Sequence, residues 1–343
     1  MNKPLLNVEN LTKHYAVGTG FLKKSIPLVR AVEDVSFSVE KGETFCIVGE
    51  SGCGKSTVAR LLMGLVQPTA GHVLLNGTDI AGLRGDELRA SRKSIQMVFQ
   101  DPYSSLNPRL TAAKIITESV ENFERLGRKQ REALAGELLT KVGISPDAMH
   151  RLPSEFSGGQ RQRLGIARAL ALNPSLIIAD EAVSALDVSV QAQILNLLMD
   201  LQQETGIAFV FISHDLSVVE HIGHRVAVMY LGRIVELAPC EELFKTPVHP
   251  YSEALIAAAP LPDPTRVRSE VPVEGEVPSP INPPSGCAFH PRCPLAIERC
   301  RTSVPRLVRM TDGRFVACHV RAPAEEGFAG PTAADEHLQR AVP

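Results

Sequence analysis

Gly49-Glu50-Ser51-Gly52-Cys53-Gly54-Lys55-Ser56-Thr57 is the stretch on which the reading of this chain turns. It fits G-x-x-x-x-G-K-[ST], with a short apolar, β-prone run at residues 43–48 before it and a helical pattern at 55–66 after it. Glycines let the backbone curl until successive N–H groups point at phosphate oxygens. Lys55 brings positive charge toward β- and γ-phosphates, and Ser56 offers its hydroxyl to Mg²⁺. The helix that starts at Lys55 adds the partial positive charge of its N-terminus. A glycine-rich turn alone carries little meaning; the strand before and the helix after supply the required context. Gly49, Ser51, Gly52, Gly54, Lys55, Ser56 and Thr57 are thus the expected nucleotide-binding residues.

The natural second half of such a site is Leu176-Ile177-Ile178-Ala179-Asp180-Glu181, an apolar strand ending in two acids. Asp180 is expected to hold Mg²⁺ through its water shell, since Mg²⁺ keeps waters and takes few carboxylates. Glu181 is expected to orient or deprotonate the attacking water. Around these motifs strands and helices alternate. Residues 95–99 look like a strand, and 176–179 and 209–213 are continuous apolar runs, the pattern of strands buried on both faces of a parallel sheet. A helical stretch, 188–203, lies between the last two, and 226–230 and 234–238 flank Leu231-Gly232-Arg233 as a hairpin. The fold class is α/β.

Length and composition agree. At about 150 residues per domain, a chain of 343 residues holds one large domain and a smaller one. With 44% hydrophobic and 22% charged residues it can bury a core, and a formal net charge of -2 argues against a nucleic-acid partner. Seven cysteines, an odd number, do not describe a simple secreted disulfide framework. Residues 1–10 have no apolar core of the signal-peptide type. No window approaches the ~20 consecutive apolar residues of a membrane span. The expectation is a cytosolic chain, or one that sits on a membrane through a partner.

Phe156-Ser157-Gly158-Gly159-Gln160 precedes the Asp180-Glu181 strand and opens a helix at 161–172, a second anion site made of small residues at a helix start. With it the chain resembles the nucleotide-binding subunit of an ATP-binding cassette (ABC) transporter, whose signature usually begins with Leu rather than Phe156. The resemblance covers roughly residues 7–258. It implies a RecA-like P-loop NTPase core, an antiparallel β subdomain and a helical subdomain. It implies that Ser157, Gly158, Gly159 and Gln160 act in trans on the partner's ATP. Gln100 resembles the Q-loop glutamine, which contacts Mg²⁺ or water. Ser184-Ala185-Leu186-Asp187 resembles the D-loop that crosses the dimer interface. His214 resembles the switch histidine on the γ-phosphate, and Tyr15 the aromatic that stacks on adenine. Ala182 stands where the family often has proline, a change of local stiffness rather than chemistry.

The segments Gly49–Gly54, Val98–Arg109 and His249-Pro250-Tyr251 resemble the dipeptide/oligopeptide importer branch. The insertion between Tyr15 and Val32, with Phe21, Lys23, Lys24 and Arg30, resembles the F-type rather than the D-type subunit; the two lysines read as a solvated loop. The implied function is ATP hydrolysis powering peptide import. The implied partners are a homologous ATPase subunit, two transmembrane permeases and, indirectly, an extracytoplasmic solute-binding protein, at the cytoplasmic face of the plasma membrane. Importers of nickel, glutathione or oligosaccharides of similar build stay open, as does a non-transport ABC ATPase.

Eight prolines fall at residues 260–284, which read as an extended connector at 260–286 joining a cassette at 1–259 to a cysteine segment at 287–320; residues 321–343 read as a frayed tail. Cys287, Cys293, Cys300 and Cys318 are spaced C-x5-C-x6-C-x17-C. Four thiolates suit a structural Zn²⁺ or an iron–sulfur cluster. The surrounding segment resembles the C-terminal part of the same importer subunits, which implies a [4Fe–4S] cluster, with Zn²⁺ as the alternative. A short segment poor in apolar residues tends to need such a staple. Cys46 reads as core and Cys53 as part of the phosphate loop.

Overall fold

The computed structural model describes residues 3–17, 27–259 and 275–322. Phe21, Lys23, Lys24, the first part of the connector and nearly all of the tail lie outside the described residues. The chain forms two compact units. One draws on Met1–Glu40, Thr44–Gly82 and Ser213–Pro343, the other on Lys41–Glu43 and Leu83–Ile212.

In the first unit, Leu28–Val39, Leu6–Ala16, Ala70–Leu75 and Thr78–Asp79 form an antiparallel sheet in that order. Leu6 faces Val39 and Val8 faces Phe37 in register. These inward residues are buried, as alternating apolar positions on such a sheet require. A second set of strands runs in the order Val308–Arg309, Phe315–Val316, Arg233–Pro239, Arg225–Tyr230, Thr44–Val48. Only the last pairing is parallel. The expected hairpin is present. Leu231 and Gly232 both take positive φ, 43° and 81°, the turn geometry that matches strand twist. Phe37 and Phe45 stack face to face at 4.6 Å between the two sets of strands.

The helix expected over 55–66 is shorter, Lys55–Leu62. Gly64, at φ 61°, turns the chain out of helical geometry. The cysteine segment is not an isolated module within this unit. Val316 and Phe315 pair with Glu236 and Leu237, and the Ala317 N–H donates to the Val235 carbonyl.

In the second unit, Ile95–Val98, Leu176–Asp180 and Ala208–Ile212 are parallel neighbours. Nearly every residue in them is buried, which is why their sequences are continuous rather than alternating. The helices Ala112–Glu121, Arg128–Lys141, Gly158–Leu170 and Val188–Thr205 complete it. Among the described residues no helix is long and apolar enough to cross a membrane.

Candidate functional site

The phosphate loop is a cradle that no other side chains could line. Gly49, Gly52 and Gly54 have φ of 149°, 81° and 111°. A Cβ on Gly49 would stand 2.2 Å from the Met229 carbonyl oxygen, and one on Gly54 would stand 2.2 Å from that of Ala31. Gly54 caps the helix Lys55–Leu62 with no side-chain hydrogen bond. The helix start is therefore covered by no side-chain acceptor of its own. Lys55 is buried and folds back across the loop. Its Nζ donates to the carbonyls of Gly49 at 2.7 Å and Glu50 at 3.0 Å. It also donates to Cys53 Sγ at 3.8 Å; a buried ammonium with no carboxylate among these partners is a strong anion receptor. Cys53 lies beside it, its thiol pushed up by burial against the opposing pull of Lys55.

Other parts of the first unit brace this loop. The Glu50 N–H donates to the Tyr251 hydroxyl at 2.9 Å, and the Glu50 carboxylate takes a two-pronged contact from Arg292. Sequence reasoning gave Arg292 and Tyr251 no role at the loop. The only signals were an arginine flanked by cysteines and a carboxylate inside a phosphate loop. His214 is exposed, just beyond the buried Ser213. Tyr15 is half-buried near the end of its strand, with the Lys13 ammonium 5.1 Å from its ring centre.

The second unit holds the acids. Asp180 ends its strand half-buried, and Glu181 follows at φ 49°. A non-glycine residue in that region is strained. It is held there by its N–H donating to the Ile212 carbonyl at 2.9 Å, and by the N–H and hydroxyl of Ser184 donating to its own carbonyl. The Glu181 carboxylate accepts the Gln100 amide at 2.6 Å, so these two expected residues meet directly.

Ser157 caps the helix Gly158–Leu170. Its hydroxyl accepts the Gln160 N–H while the Gln160 amide oxygen accepts the Ser157 N–H. Ser157 and Gln160 remain exposed, and Phe156 is buried beneath them, as an apolar residue in the place of Leu should be. A Cβ on Gly159 would meet Val190 at 2.5 Å. Asp187 caps the helix Val188–Thr205, and the Val190 N–H holds its carboxyl below the usual range.

The expected metal ligands Cys287, Cys293, Cys300 and Cys318 are all free thiols. Cys287 lies near enough to be influenced by Cys293, Cys300 and Cys318, and Cys293 by Cys300 and Cys318. Among the described residues, however, no group of three or more histidine, cysteine, aspartate or glutamate side chains is set to hold a metal ion. The expected [4Fe–4S] or Zn²⁺ ligand set is thus not assembled here. Burial pushes the Cys287 thiol up to about 11, and Cys318 packs in a small apolar cluster with Val308, Val316 and Ala322. Strand pairing and Phe289, wedged among Tyr230, Tyr251 and His249, hold the segment to its unit.

Comparison with known proteins bears on all of this. Residues 32–184 match the ABC transporter family model, and residues 235–300 match that of the oligopeptide/dipeptide transporter C-terminal region. The chain is 75% identical over 333 residues to "Probable peptide ABC transporter ATP-binding protein y4tS" of Sinorhizobium fredii, covering 97% of this chain and 94% of that one. It is 50% identical to oligopeptide transport ATP-binding protein AppF of Bacillus subtilis, covering 92% and 97%. Among solved structures it resembles the dimeric ATP-binding cassette MJ0796 bound to ADP and Pi, with TM-score 0.61 and 31% identity over 68% of this chain and 98% of that one. It also resembles cbiO1 of Clostridium perfringens, with TM-score 0.62 and 27% identity over 71% and 92%. This chain belongs to the ABC transporter family, as an ATP-hydrolysing cassette that carries the C-terminal region of the oligopeptide/dipeptide transporters.

Proposed function

We propose that this chain powers the import of dipeptides or oligopeptides. It would act at the cytoplasmic face of the membrane beside a homologous ATPase subunit and two permeases, with an extracytoplasmic binding protein delivering the peptide. The observation that carries the ATPase part is the preformed loop, with the Lys55 ammonium drawn over its crown. The peptide part is supported by the relatives' names and by the match of residues 235–300.

In this reading Gly49–Thr57 bind the triphosphate and Tyr15 stacks on adenine. The hard oxygen donors Ser56 and Asp180 suit Mg²⁺, which neutralises phosphate charge when bound. Glu181 takes the proton of a water that attacks the γ-phosphorus, and the bond to the ADP oxygen breaks as phosphate forms. Gln100 orients the Glu181 carboxylate, which their 2.6 Å contact supports. His214 donates to the γ-phosphate. Ser157–Gln160 complete the homologous partner's ATP site, and Asp187 lies at that interface. The dimeric state of the ADP-bound relative supports such a pairing.

The four cysteines as a [4Fe–4S] centre, with Zn²⁺ as the alternative, are the finer part of this reading. It is supported by backbone N–H groups of Phe289, Leu295 and Arg321 that donate to the sulfurs of Cys287, Cys293 and Cys318. Anaerobic purification followed by iron and zinc analysis tests it; a colourless protein free of both metals rejects it.

Glu181→Gln is expected to bind ATP with parental affinity and trap a closed pair, with hydrolysis reduced by a factor of at least ~10². Lys55→Ala is expected to lose nucleotide binding. Normal turnover in Glu181→Gln would overturn the role given to Glu181. Stimulation of the assembled ATPase by a peptide-loaded binding protein tests the transport reading.

A further inference from the structure

Arg292 closes the one-turn helix His290–Arg292 and lies between Cys287 and Cys293 in sequence. It reaches a residue 242 positions earlier. Its Nη1 donates to Oε2 of Glu50 at 2.8 Å and its Nη2 to Oε1 at 3.2 Å. The guanidinium stands 5.9 Å from the Tyr230 ring centre and 6.0 Å from that of Phe289. The Arg292 side chain is only 9% exposed and that of Glu50 30%. The other polar groups of Glu50 are also engaged, its N–H by Tyr251 and its carbonyl by Lys55.

We propose that Arg292 is a positioning residue for nucleotide binding, which neutralises and orients Glu50 so that the phosphate loop can accept a polyanion. This rests on the reading of residues 49–57 as the ATP loop. A carboxylate at the second position of such a loop opposes its purpose. It competes for Lys55 and repels the incoming phosphates, and its partial burial weakens screening by salt. A guanidinium fork removes that charge and fixes the direction of the carboxylate, which a lysine point charge does less well. The rings of Tyr230 and Phe289 flank the guanidinium, whose side chain is 9% exposed. A device meant only to tether residues 287–322 has no need of a charge pair on this loop, because strand pairing and Phe289 already hold that segment.

The test uses the full chain as parent, Arg292→Ala, Arg292→Lys, Glu50→Gln, Lys55→Ala and the double variant Arg292→Ala/Glu50→Gln. Affinities for fluorescent ATP and ADP analogues are measured, with thermal melts on each protein. Arg292→Ala is expected to weaken ATP binding roughly tenfold, and ADP binding less, because ADP carries less charge. Arg292→Lys is expected to recover part of the loss. The double variant is expected to bind ATP as Glu50→Gln does, since no unpaired carboxylate remains, even if its melting temperature stays low. Parental ATP affinity in Arg292→Ala overturns the proposal. So does an equal loss for ATP and ADP that Glu50→Gln fails to rescue, which marks a mere tether. If the parent binds no ATP, or Lys55→Ala binds as well as the parent, the ATP reading of the loop falls first and this inference with it.

Discussion

Gly54 combines a φ of 111° with a Cβ position 2.2 Å from the Ala31 carbonyl oxygen. Neither a side chain nor a relaxed backbone fits there. Gly54→Ala is expected to cost about 1–3 kcal/mol of stability and to lose nucleotide affinity, both readable from melts and a nucleotide titration. Glu50 and Arg292 should behave asymmetrically. Glu50→Ala strands a guanidinium that is 9% exposed and whose Nε is already buried with no hydrogen-bond partner. Arg292→Ala leaves a carboxylate that water can partly reach. Glu50→Ala should therefore lower the melting temperature more, by up to about 3–5 kcal/mol of stability; equal shifts would contradict this ranking. The glycines were legible in sequence because their spacing is local. The partner of Glu50 was not, because no pattern within a chain joins residues 242 positions apart.

The helix Pro250–Ala258 shows what an element adds. His249 caps it, with Nδ1 accepting the Tyr251 N–H at 3.0 Å while the other ring nitrogen bonds the Ala317 backbone. Both ring nitrogens are thus committed in the neutral form. Burial holds the ring's pKa at about 3, below the ordinary histidine value. The sign follows from the fold preferring neutral His249. Stability from this group is full above the unfolded value of about 6.5 and is lost as pH falls toward 3. The Glu236 carboxyl faces the same helix start, accepting the N–H of Val248 and of His249, and burial raises its pKa. It opposes the trend, so only the difference between variant and parent isolates the histidine. His249→Asn keeps a capping acceptor and is expected to flatten the acid-side fall of melting temperature between pH 7 and 4. An unchanged slope would remove His249 as its source. At this scale the buried strands and the Leu231-Gly232 hairpin were legible from apolar runs and turn residues. The early end of the helix at Leu62 was missed, since Gly64 can sit within a helical pattern.

Across the whole molecule, each unit is assembled from separated stretches of chain, three in the first and two in the second. The apolar poverty of residues 287–320 pointed to a metal staple. The structure shows a hold of another kind, with Phe289, 1% exposed, buried against Tyr230 and Tyr251 and Val316 paired with Glu236. Such contacts depend on partners distant in sequence, which composition cannot reveal. Phe289→Ala is expected to destabilise the first unit by about 3–5 kcal/mol and to weaken ATP binding through Arg292; a melt unchanged from the parent would show that the segment hangs free. The separation of 242 positions between Glu50 and Arg292 also orders events in time. At about 5–20 residues per second, translation needs roughly 12–48 s to pass from one to the other. The nascent chain therefore carries a loop of unbalanced charge until Arg292 emerges. Full affinity for nucleotide thus waits on a residue made long after the loop itself, so a ribosome-bound fragment that stops short of Arg292 is expected to hold ATP more loosely than the released chain.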